Sequence, residues 1–366
     1  MNARLLVNPR FAADDDGARE EAVLSEADVA RAKYTLRSWP EYAVTPLIDR
    51  PDLAERAGVG RLAVKYEGAR FAVGSFKALG PAYAATRLLQ RVGPSVTLAA
   101  ATSGNHGRAV AWAAREQGAA CRIYMSEGVT EARARAIEAF GATVIRVPGT
   151  FDDALARCHA EAEAQGYYVV SDLVHPDYPE VPAHTIHGYA MLGEELADQA
   201  ADATHVFVGA GSGALAGAMA ARLWQRLGRA RPKLVVVEPL SGDCVYRSAE
   251  AGRLSSTDGD LRTVMDGLAV GTPSTLGWTL LDRGAYAFLA IPDAPAVATM
   301  RAAHRGTPSL AIGETGIAGL AGAMVACNDA RMRQALGIDA ASRLVAVACE
   351  GPTDPVLFRR LIGEDS

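Results

Sequence analysis

The order of hydrophobic and polar residues along the chain alternates between two patterns. Short apolar runs rich in β-branched residues predict strands, at 61–67, 95–100, 120–125, 142–147, 167–171, 205–209, 233–238, 285–290 and 343–348. Most of these runs are separated by amphipathic stretches with apolar residues three and four positions apart, which predict helices. Buried strands that alternate with helices indicate an α/β protein with largely parallel sheets.

The same alternation would also fit a barrel of eight strands and eight helices. Two irregular segments, 172–188 and 239–284, interrupt the repeat and argue against a barrel. A chain of 366 residues is long enough for two domains. We therefore expect two doubly wound domains with largely parallel sheets.

Composition and charge exclude several classes of partner. The net charge of −5 and the absence of a basic run argue against nucleic acid or an anionic membrane as a partner. No apolar stretch is long enough to span a bilayer, and the acidic N-terminal region does not resemble a targeting signal. The five cysteines are scattered and never spaced as CxxC, which indicates reduced thiols in a cytoplasmic enzyme and no metal site.

A lysine stands out at the start of a predicted helix over Phe76–Val92. Lys77 follows Gly74 and Ser75, so its ammonium would lie at the positive end of the helix dipole. That position favours the neutral amine, which is the form that attacks a carbonyl to make a Schiff base. The alternative is an ordinary lysine whose ammonium reaches solvent.

Two loops between a predicted strand and a predicted helix could hold anions. The first, Thr102-Ser103-Gly104-Asn105-His106, offers hydroxyls, an amide and backbone N–H groups at a helix N-terminus. It could equally be a helix cap followed by a turn. The second, Gly209-Ala210-Gly211-Ser212-Gly213, is suited to a phosphate. With Glu238 as a ribose-binding acid, the second loop would instead fit a nicotinamide-dependent dehydrogenase.

A third loop, 349–354, follows the last predicted strand. It places a thiol at Cys349 and a hydroxyl at Thr353 at the carboxyl edge of the sheet, where open α/β folds bind ligands. A single cysteine there could also be a buried core residue.

Taken in order, these segments resemble the pyridoxal-phosphate enzymes of fold type II, the group of tryptophan synthase β and threonine dehydratase. The resemblance implies that Lys77 carries the cofactor and that Asn105 meets its phenolic oxygen. It implies that the loop 102–106 binds the substrate carboxylate and that Cys349 or Thr353 meets the pyridine nitrogen. The phosphate would be held by Gly209, Ala210, Gly211, Ser212 and Gly213.

Within this group the chain is most similar to the diaminopropionate ammonia-lyases, through YPEVPAHTIHGYAMLGEEL, IGETGIAGLAGAM and EGPTDPVLFRR. The similarity implies a homodimer, a large cofactor-binding domain over 1–94 and 181–366, and a small domain over 95–180 that binds the substrate carboxylate. Asp172 matches a second active-site acid of that family. Ser103 departs from it, because the family carries aspartate there, and His187 replaces a glutamine.

The expected reaction is a β-elimination. Lys77 would remove the Cα proton, the β-substituent would leave, and the product would hydrolyse to a 2-oxo acid and ammonia. Ser103 suits a dehydratase of a β-hydroxy amino acid, such as threonine, serine or phenylserine, whereas Asp172 suits an ammonia-lyase. A non-enzymatic binding protein with the same fold is the third possibility.

Overall fold

The computed structural model describes residues 2–14, 17–102, 104–171 and 180–364. Its strands form two open sheets, one of seven strands and one of four. The strands are β1 (Arg4–Val7), β2 (Leu47–Asp49), β3 (Arg61–Tyr66), β4 (Thr97–Ala101), β5 (Ala120–Ser126), β6 (Thr143–Val147), β7 (Tyr168–Val169), β8 (His205–Gly209), β9 (Lys233–Pro239), β10 (Ala287–Ile291) and β11 (Arg343–Ala348).

The seven-stranded sheet has the order β1-β10-β9-β8-β11-β3-β2. Its five inner strands run parallel, whereas β1 and β2 pair antiparallel at the two edges. The last strand, β11, lies between β8 and β3, so the segments that follow these three strands meet at one edge of the sheet.

The four-stranded sheet has the order β6-β5-β4-β7, with every pair parallel. Both sheets are open, so the barrel alternative is wrong. The expected α/β fold with two largely parallel sheets is confirmed. The domain boundaries at 94/95 and 180/181 stay predictions.

Helices cover the faces of both sheets. Those of the N-terminal half are α1 (Ala18–Val23), α2 (Glu26–Arg37), α3 (Pro51–Ala57), α4 (Gly80–Val92), α5 (Asn105–Glu116), α6 (Glu131–Glu138), α7 (Phe151–Gln165) and α8 (Glu180–Gln199). Those of the C-terminal half are α9 (Ala214–Leu227), α10 (Cys244–Ala251), α11 (Thr275–Gly284), α12 (Asp293–Arg305), α13 (Ala318–Asn328), α14 (Ala330–Leu336) and α15 (Pro355–Ile362).

Alternate residues of the inner strands point to opposite faces and into separate cores. In β9, Val236 packs with α8 and α9 on one face, whereas Val235 and Val237 pack with α13 on the other. The four-stranded sheet is also covered on both faces, with a large core on the side of Leu98 and a smaller one around Tyr124. None of the helices in the described ranges is long and apolar enough to cross a membrane.

Three local predictions differ from the structure. The strands β1 and β2 were not predicted, because each is a short edge strand with a partly exposed pattern. The polar N-terminal region was expected to be an extended arm with one short helix near Ser25, but the helix there, α2, has twelve residues and begins where Ser25 Oγ accepts the N–H of Asp28 at 3.1 Å. The helix predicted over Phe76–Val92 is divided into a 3-10 turn over Phe76–Ala78 and α4.

Candidate active site

The segment that carries Lys77 is fixed against the end of β11. The N–H of Phe76 donates to the carbonyl of Cys349 at 2.9 Å, and the N–H of Gly351 donates to the carbonyl of Gly74 at 3.0 Å. The hydroxyl of Ser75 accepts the N–H of Lys77 at 3.3 Å and begins the 3-10 turn. The lysine and the third predicted loop are therefore neighbours.

A buried group of four charges holds the chain that leads into this segment. Arg70 donates to Glu67 at 2.9 Å and to Glu195 of α8 at 2.8 Å, and Lys65 of β3 lies 2.6 Å from Glu195. All four side chains are at most 1% exposed. Two cations and two anions balance each other, so the loop before Lys77 is tied to α8 without an unpaired buried charge.

The amine of Lys77 lies near two aromatic rings. Its Nζ is 5.3 Å from the ring centroid of Phe76 and 5.8 Å from that of Tyr189 on α8. The two rings are themselves 5.0 Å apart. They restrict the directions that the lysine side chain can take and leave it at the cleft described below.

Close approach between α8 and the Lys77 segment depends on the absence of a side chain at Gly188. A Cβ there would lie 2.1 Å from the carbonyl oxygen of Leu79. A Cβ at Gly80 would likewise overlap the ring of Tyr189, at 2.4 Å. The Gly-Tyr pair in α8 therefore places the tyrosine ring beside Lys77.

The glycine-rich loop Gly209–Gly213 connects β8 to α9. Gly213 has a φ of 84°, which a residue with a side chain rarely adopts, and it is the N-cap of α9. A Cβ at Gly211 would lie 3.0 Å from Val270 and 3.2 Å from the carbonyl of Gly267. The loop thus exposes backbone N–H groups at the positive end of a fourteen-residue helix, which is a geometry suited to a phosphate.

The loop after β4 is shaped by a hydroxyl. Thr102 Oγ1 accepts the N–H of Gly104 at 3.0 Å and that of Gly107 at 3.4 Å, at the start of α5. His106 Nε2 donates to the carbonyl of Val170 at 2.8 Å, so its proton lies on that nitrogen. Asn105 Nδ2 donates to Glu350 Oε2.

Two buried glutamates line the cleft beside an arginine. Glu314 Oε1 lies 2.8 Å from Arg133 Nη2, and the other terminal nitrogen of Arg133 meets Asp266. Burial raises the pKa of Glu314, and burial together with nearby Glu314 raises the pKa of Glu350 to about 7. Burial alone would lower the pKa of Arg133, but the carboxylates of Asp266 and Glu314 raise it. The cation is therefore kept charged.

Cys349 lies at the base of the cleft and is 3% exposed. Burial raises the pKa of its thiol well above the usual value. The thiol is therefore neutral at physiological pH, as is the hydroxyl of Thr353, which also lines the cleft. A ligand at this end meets a neutral partner and not an anion.

The structure brings most of the sequence-predicted site residues to this one cleft. Its lining includes Lys77, Thr102, Gly104, Asn105, His106, Gly209, Ala210, Gly211, Ser212, Gly213, Cys349 and Thr353. Ser103 and Asp172 lie outside the described residues. His187 is not one of the described residues that line the cleft. Its Nε2 donates to the carbonyl of Val23 at 3.1 Å.

Comparison with known proteins identifies the family. A sequence model of pyridoxal-phosphate dependent enzymes matches residues 39–350. The chain belongs to this family. Diaminopropionate ammonia-lyase of Escherichia coli (strain K12) is 34% identical over 370 residues, which cover 93% of each chain. The cofactor is pyridoxal phosphate, and the expected relationship to fold type II enzymes is confirmed.

Solved structures of the Escherichia coli enzyme have the same fold. Its holo form matches with a TM-score of 0.91 and 29% identity, covering 100% of this chain and 97% of the other. Its complex with an aminoacrylate-PLP azomethine reaction intermediate matches with a TM-score of 0.90 and 30% identity, over the same shares of both chains. Both solved structures span nearly the whole of this chain, so the likeness includes both sheets and the cleft between the predicted loops.

The cleft fits pyridoxal phosphate by the chemistry of its groups. A lysine amine, a glycine loop at a helix N-terminus and a neutral buried thiol occur together in one space. They match the aldehyde, the phosphate and the pyridine nitrogen of the cofactor in turn. Addition of a side chain at Gly211 would fill part of the phosphate end.

Several lining residues were not predicted from the sequence, among them the aromatic and charged side chains of Tyr189, Arg133, Asp266, Glu314 and Glu350. Glu350 directly follows Cys349 in a loop already recognised, so its position in that loop was an available signal. Arg133 and Asp266 carry no comparable signal, because their contact joins residues more than a hundred positions apart.

The structure corrects the interpretation of Glu238 as a ribose-binding acid. Its carboxylate is fully buried and accepts the N–H groups of Val245 and Tyr246, at 2.8 and 2.7 Å, at the start of α10. Burial raises its pKa well above the usual value. A helix cap of this kind is not available to a nucleotide, so the dehydrogenase alternative loses its acidic residue.

Proposed function

We propose that this enzyme eliminates ammonia from 2,3-diaminopropionate, and that the product hydrolyses to a 2-oxo acid and a second ammonia. The proposal of β-elimination is supported by the similarity to the diaminopropionate ammonia-lyases, and the proposed substrate is the one in the name of the Escherichia coli relative. The observation that carries the proposal is that Lys77, the glycine loop and the described residues of the loop 102–106 line one cleft.

Lys77 is assigned two tasks on this chain. Its amine would hold the cofactor covalently, and in its free form the same amine would take the Cα proton. The rings of Phe76 and Tyr189 keep its Nζ at the cleft through both steps. Bound pyridoxal phosphate withdraws electrons from Cα and thereby acidifies that proton.

The remaining residues hold the two ligands in place. Backbone N–H groups of 211–213 and the first turn of α9 bind the cofactor phosphate. The loop from Thr102 to His106, at the N-terminus of α5, binds the substrate carboxylate. Asn105 donates to the phenolic oxygen of the cofactor. Cys349 or Thr353 meets the pyridine nitrogen as a neutral partner, which disfavours full protonation of the ring and so favours elimination over transamination.

The proposal is tested by following 2-oxo acid release from a panel of β-substituted amino acids with the purified protein. L-Diaminopropionate should be consumed, and alanine, which has no leaving group at Cβ, is the control. A protein that binds pyridoxal phosphate but releases no 2-oxo acid from any member of the panel would contradict the proposal and favour a binding role.

Ser103 supports a second candidate, a dehydratase of a β-hydroxy amino acid. A neutral hydroxyl cannot make the charge-assisted contact with a β-ammonium group that an aspartate makes, a loss of about 1.5–3 kcal/mol. In the ammonia-lyase hypothesis Asp172 supplies the acid instead. Ser103→Asp should then raise kcat/KM for diaminopropionate and lower it for threonine, serine and phenylserine.

The stereochemical preference provides a further test of Ser103. The aspartate that relatives carry there can act as a base on the D-isomer, and a serine cannot. We therefore expect faster consumption of L-diaminopropionate than of D-diaminopropionate. Equal rates for the two isomers would contradict this assignment of Ser103.

We also propose that the enzyme is a cytoplasmic homodimer. Each subunit would have a large domain formed by 1–94 together with 181–366, and a small domain over 95–180. The five cysteines support a reducing compartment, since all are buried free thiols. Light scattering of the holoenzyme at several concentrations tests the dimer. Limited proteolysis that cuts near 94 and 180 would support the boundaries, whereas cuts only elsewhere would contradict them.

A further inference from the structure

Glu350 is the residue at which three parts of the cleft meet. Its backbone pairs with Ser75, between the hydrogen bonds that join 74 to 351 and 76 to 349. Its Oε1 accepts the N–H of Thr315 at 3.1 Å, and its Oε2 accepts Nδ2 of Asn105 at the start of α5. Glu350 therefore connects the Lys77 segment to α5, the helix that follows β4.

The contact with Glu350 decides which way the amide of Asn105 points. The two ends of a carboxamide have nearly the same shape, so packing alone does not distinguish them. The ionised carboxylate of Glu350, which is present above its raised pKa, only accepts hydrogen bonds, so it holds the amide nitrogen and turns the carbonyl oxygen away. Both Glu350 oxygens already accept an N–H, so the side chain itself has little freedom to turn.

The fixed orientation leaves one N–H of Asn105 for a ligand. Within the described part of the chain, the side chain of Asn105 makes no hydrogen bond other than that to Glu350. Asn105 also lines the cleft, as Lys77 does. Its second N–H can therefore donate to an anionic oxygen, whereas a reversed amide would present an acceptor to that oxygen.

We infer that Glu350 is a positioning residue that makes Asn105 a hydrogen-bond donor to the cofactor's phenolic oxygen. The inference rests on the proposed role of Asn105. Glu350 does not touch the reacting atoms and acts only through that amide. Its effect must accordingly vanish when Asn105 is removed.

A double-mutant cycle on the cofactor dissociation constant tests this dependence. We expect Glu350→Gln and Asn105→Ala each to weaken pyridoxal phosphate binding by about 10- to 100-fold, the range for one lost charge-assisted hydrogen bond. The double variant should bind no more weakly than Asn105→Ala alone. If the two effects multiply, Glu350 acts independently of Asn105 and the inference is wrong.

A variant in which the amide and the carboxylate are exchanged, the swapped pair, distinguishes a positioning role of Glu350 from a contact that only stabilises the fold. The variant Asn105→Asp with Glu350→Gln keeps one amide and one carboxylate in contact but reverses their direction. We expect the melting temperature of its cofactor-free form to stay near that of the wild type. Its cofactor affinity should stay reduced and the visible absorption band of the loaded protein should be shifted, because the carboxylate introduced at position 105 cannot donate. Full recovery of affinity and band would overturn the inference.

Glu238→Gln is the matched control, because it alters another fully buried glutamate that accepts backbone N–H groups away from the cleft. It should leave the cofactor affinity and the absorption band unchanged. If Glu350→Gln does not fold on its own, the swapped pair still tests the inference, because full recovery of cofactor affinity there would overturn it. A wild-type protein that binds no pyridoxal phosphate would instead refute the proposed function.

Discussion

The guanidinium of Arg133 lies 2.8 Å from the carboxylate of Glu314, whose side chain is 1% exposed. Arg133 belongs to α6, beside the four-stranded sheet, and Glu314 precedes α13 on the seven-stranded sheet. The pair therefore fastens the two sheets together at the rim of the cleft.

Replacement of Arg133 by a neutral residue should destabilise the fold. Arg133→Met leaves Glu314 buried without its cation, so the free energy of unfolding should fall by about 3 kcal/mol. The double variant Arg133→Met with Glu314→Gln should recover most of that loss, because position 314 no longer carries a buried charge. Urea unfolding at pH 8 measures both. Equal losses in the single and the double variants would contradict this account of the pair.

Lys77→Ala should abolish both the visible absorption of the loaded protein and its steady turnover. The reason is that the amine both binds the cofactor covalently and takes the Cα proton. Absorption spectra, and the mass of the protein after borohydride reduction, check the covalent bond. Lys33→Ala is the control, because Lys33 lies on α2 and pairs with Glu194 at 2.7 Å. If Lys77→Ala keeps a reducible bond, another lysine carries the cofactor.

Gly211→Val should weaken cofactor binding by about tenfold or more while the fold persists. The new Cβ would press on Val270 and on the carbonyl of Gly267, at the end of the cleft assigned to the phosphate. Gly128→Val is the matched control, since a Cβ at Gly128 meets nothing within 4 Å. Cofactor titration and thermal melting together separate the two effects. Unchanged affinity in a folded Gly211→Val protein would refute the assignment of this loop.

The stability of the cofactor-free protein should depend on the proton of Glu350. Burial and the neighbouring Glu314 raise the pKa of Glu350 from 4.5 to about 7, whereas Arg133 opposes that rise. Because the folded state holds the proton more tightly, this stabilisation is complete below pH 4.5 and is lost as the pH rises through 7.

Melting temperatures of the wild type and Glu350→Gln between pH 5 and pH 8 check this dependence. The wild type should lose stability relative to the variant as the pH rises. Because Glu314 raises the pKa of Glu350, the two carboxyl groups titrate together, and the difference between the two proteins reports the titration of the pair. A difference that stays constant over this range would contradict the raised pKa.

Sequence reasoning found the parts of the site that are local in the chain. Lys77, the loop at Thr102 and the loop at Gly211 each combine a strand end with a helix start, and such signals need only a few neighbouring residues. Inner strands such as β9 were found for the same reason, because their apolar runs are continuous.

The remaining features depend on contacts between distant segments. Tyr189 reaches the cleft only because α8 packs closely against Leu79, and Arg133 only because α6 lies over Glu314. The spacing of residues along the sequence does not predict these contacts between distant segments. The division of the helix at Ala78 has a similar cause, since Phe76 bonds to the carbonyl of Cys349.

The edge strand β1 has a consequence for the order in which the chain assembles. Arg4 pairs with Ala290, so β1 has a partner that is synthesised much later than β1 itself. At about 5–20 residues per second, β1 waits on the order of tens of seconds before β10 exists. Until then the seven-stranded sheet cannot be completed at this edge, and loop-closure entropy opposes the pairing throughout. Pairing at β1 therefore comes late in the synthesis of this enzyme, even though the four-stranded sheet is synthesised within the first half of the chain.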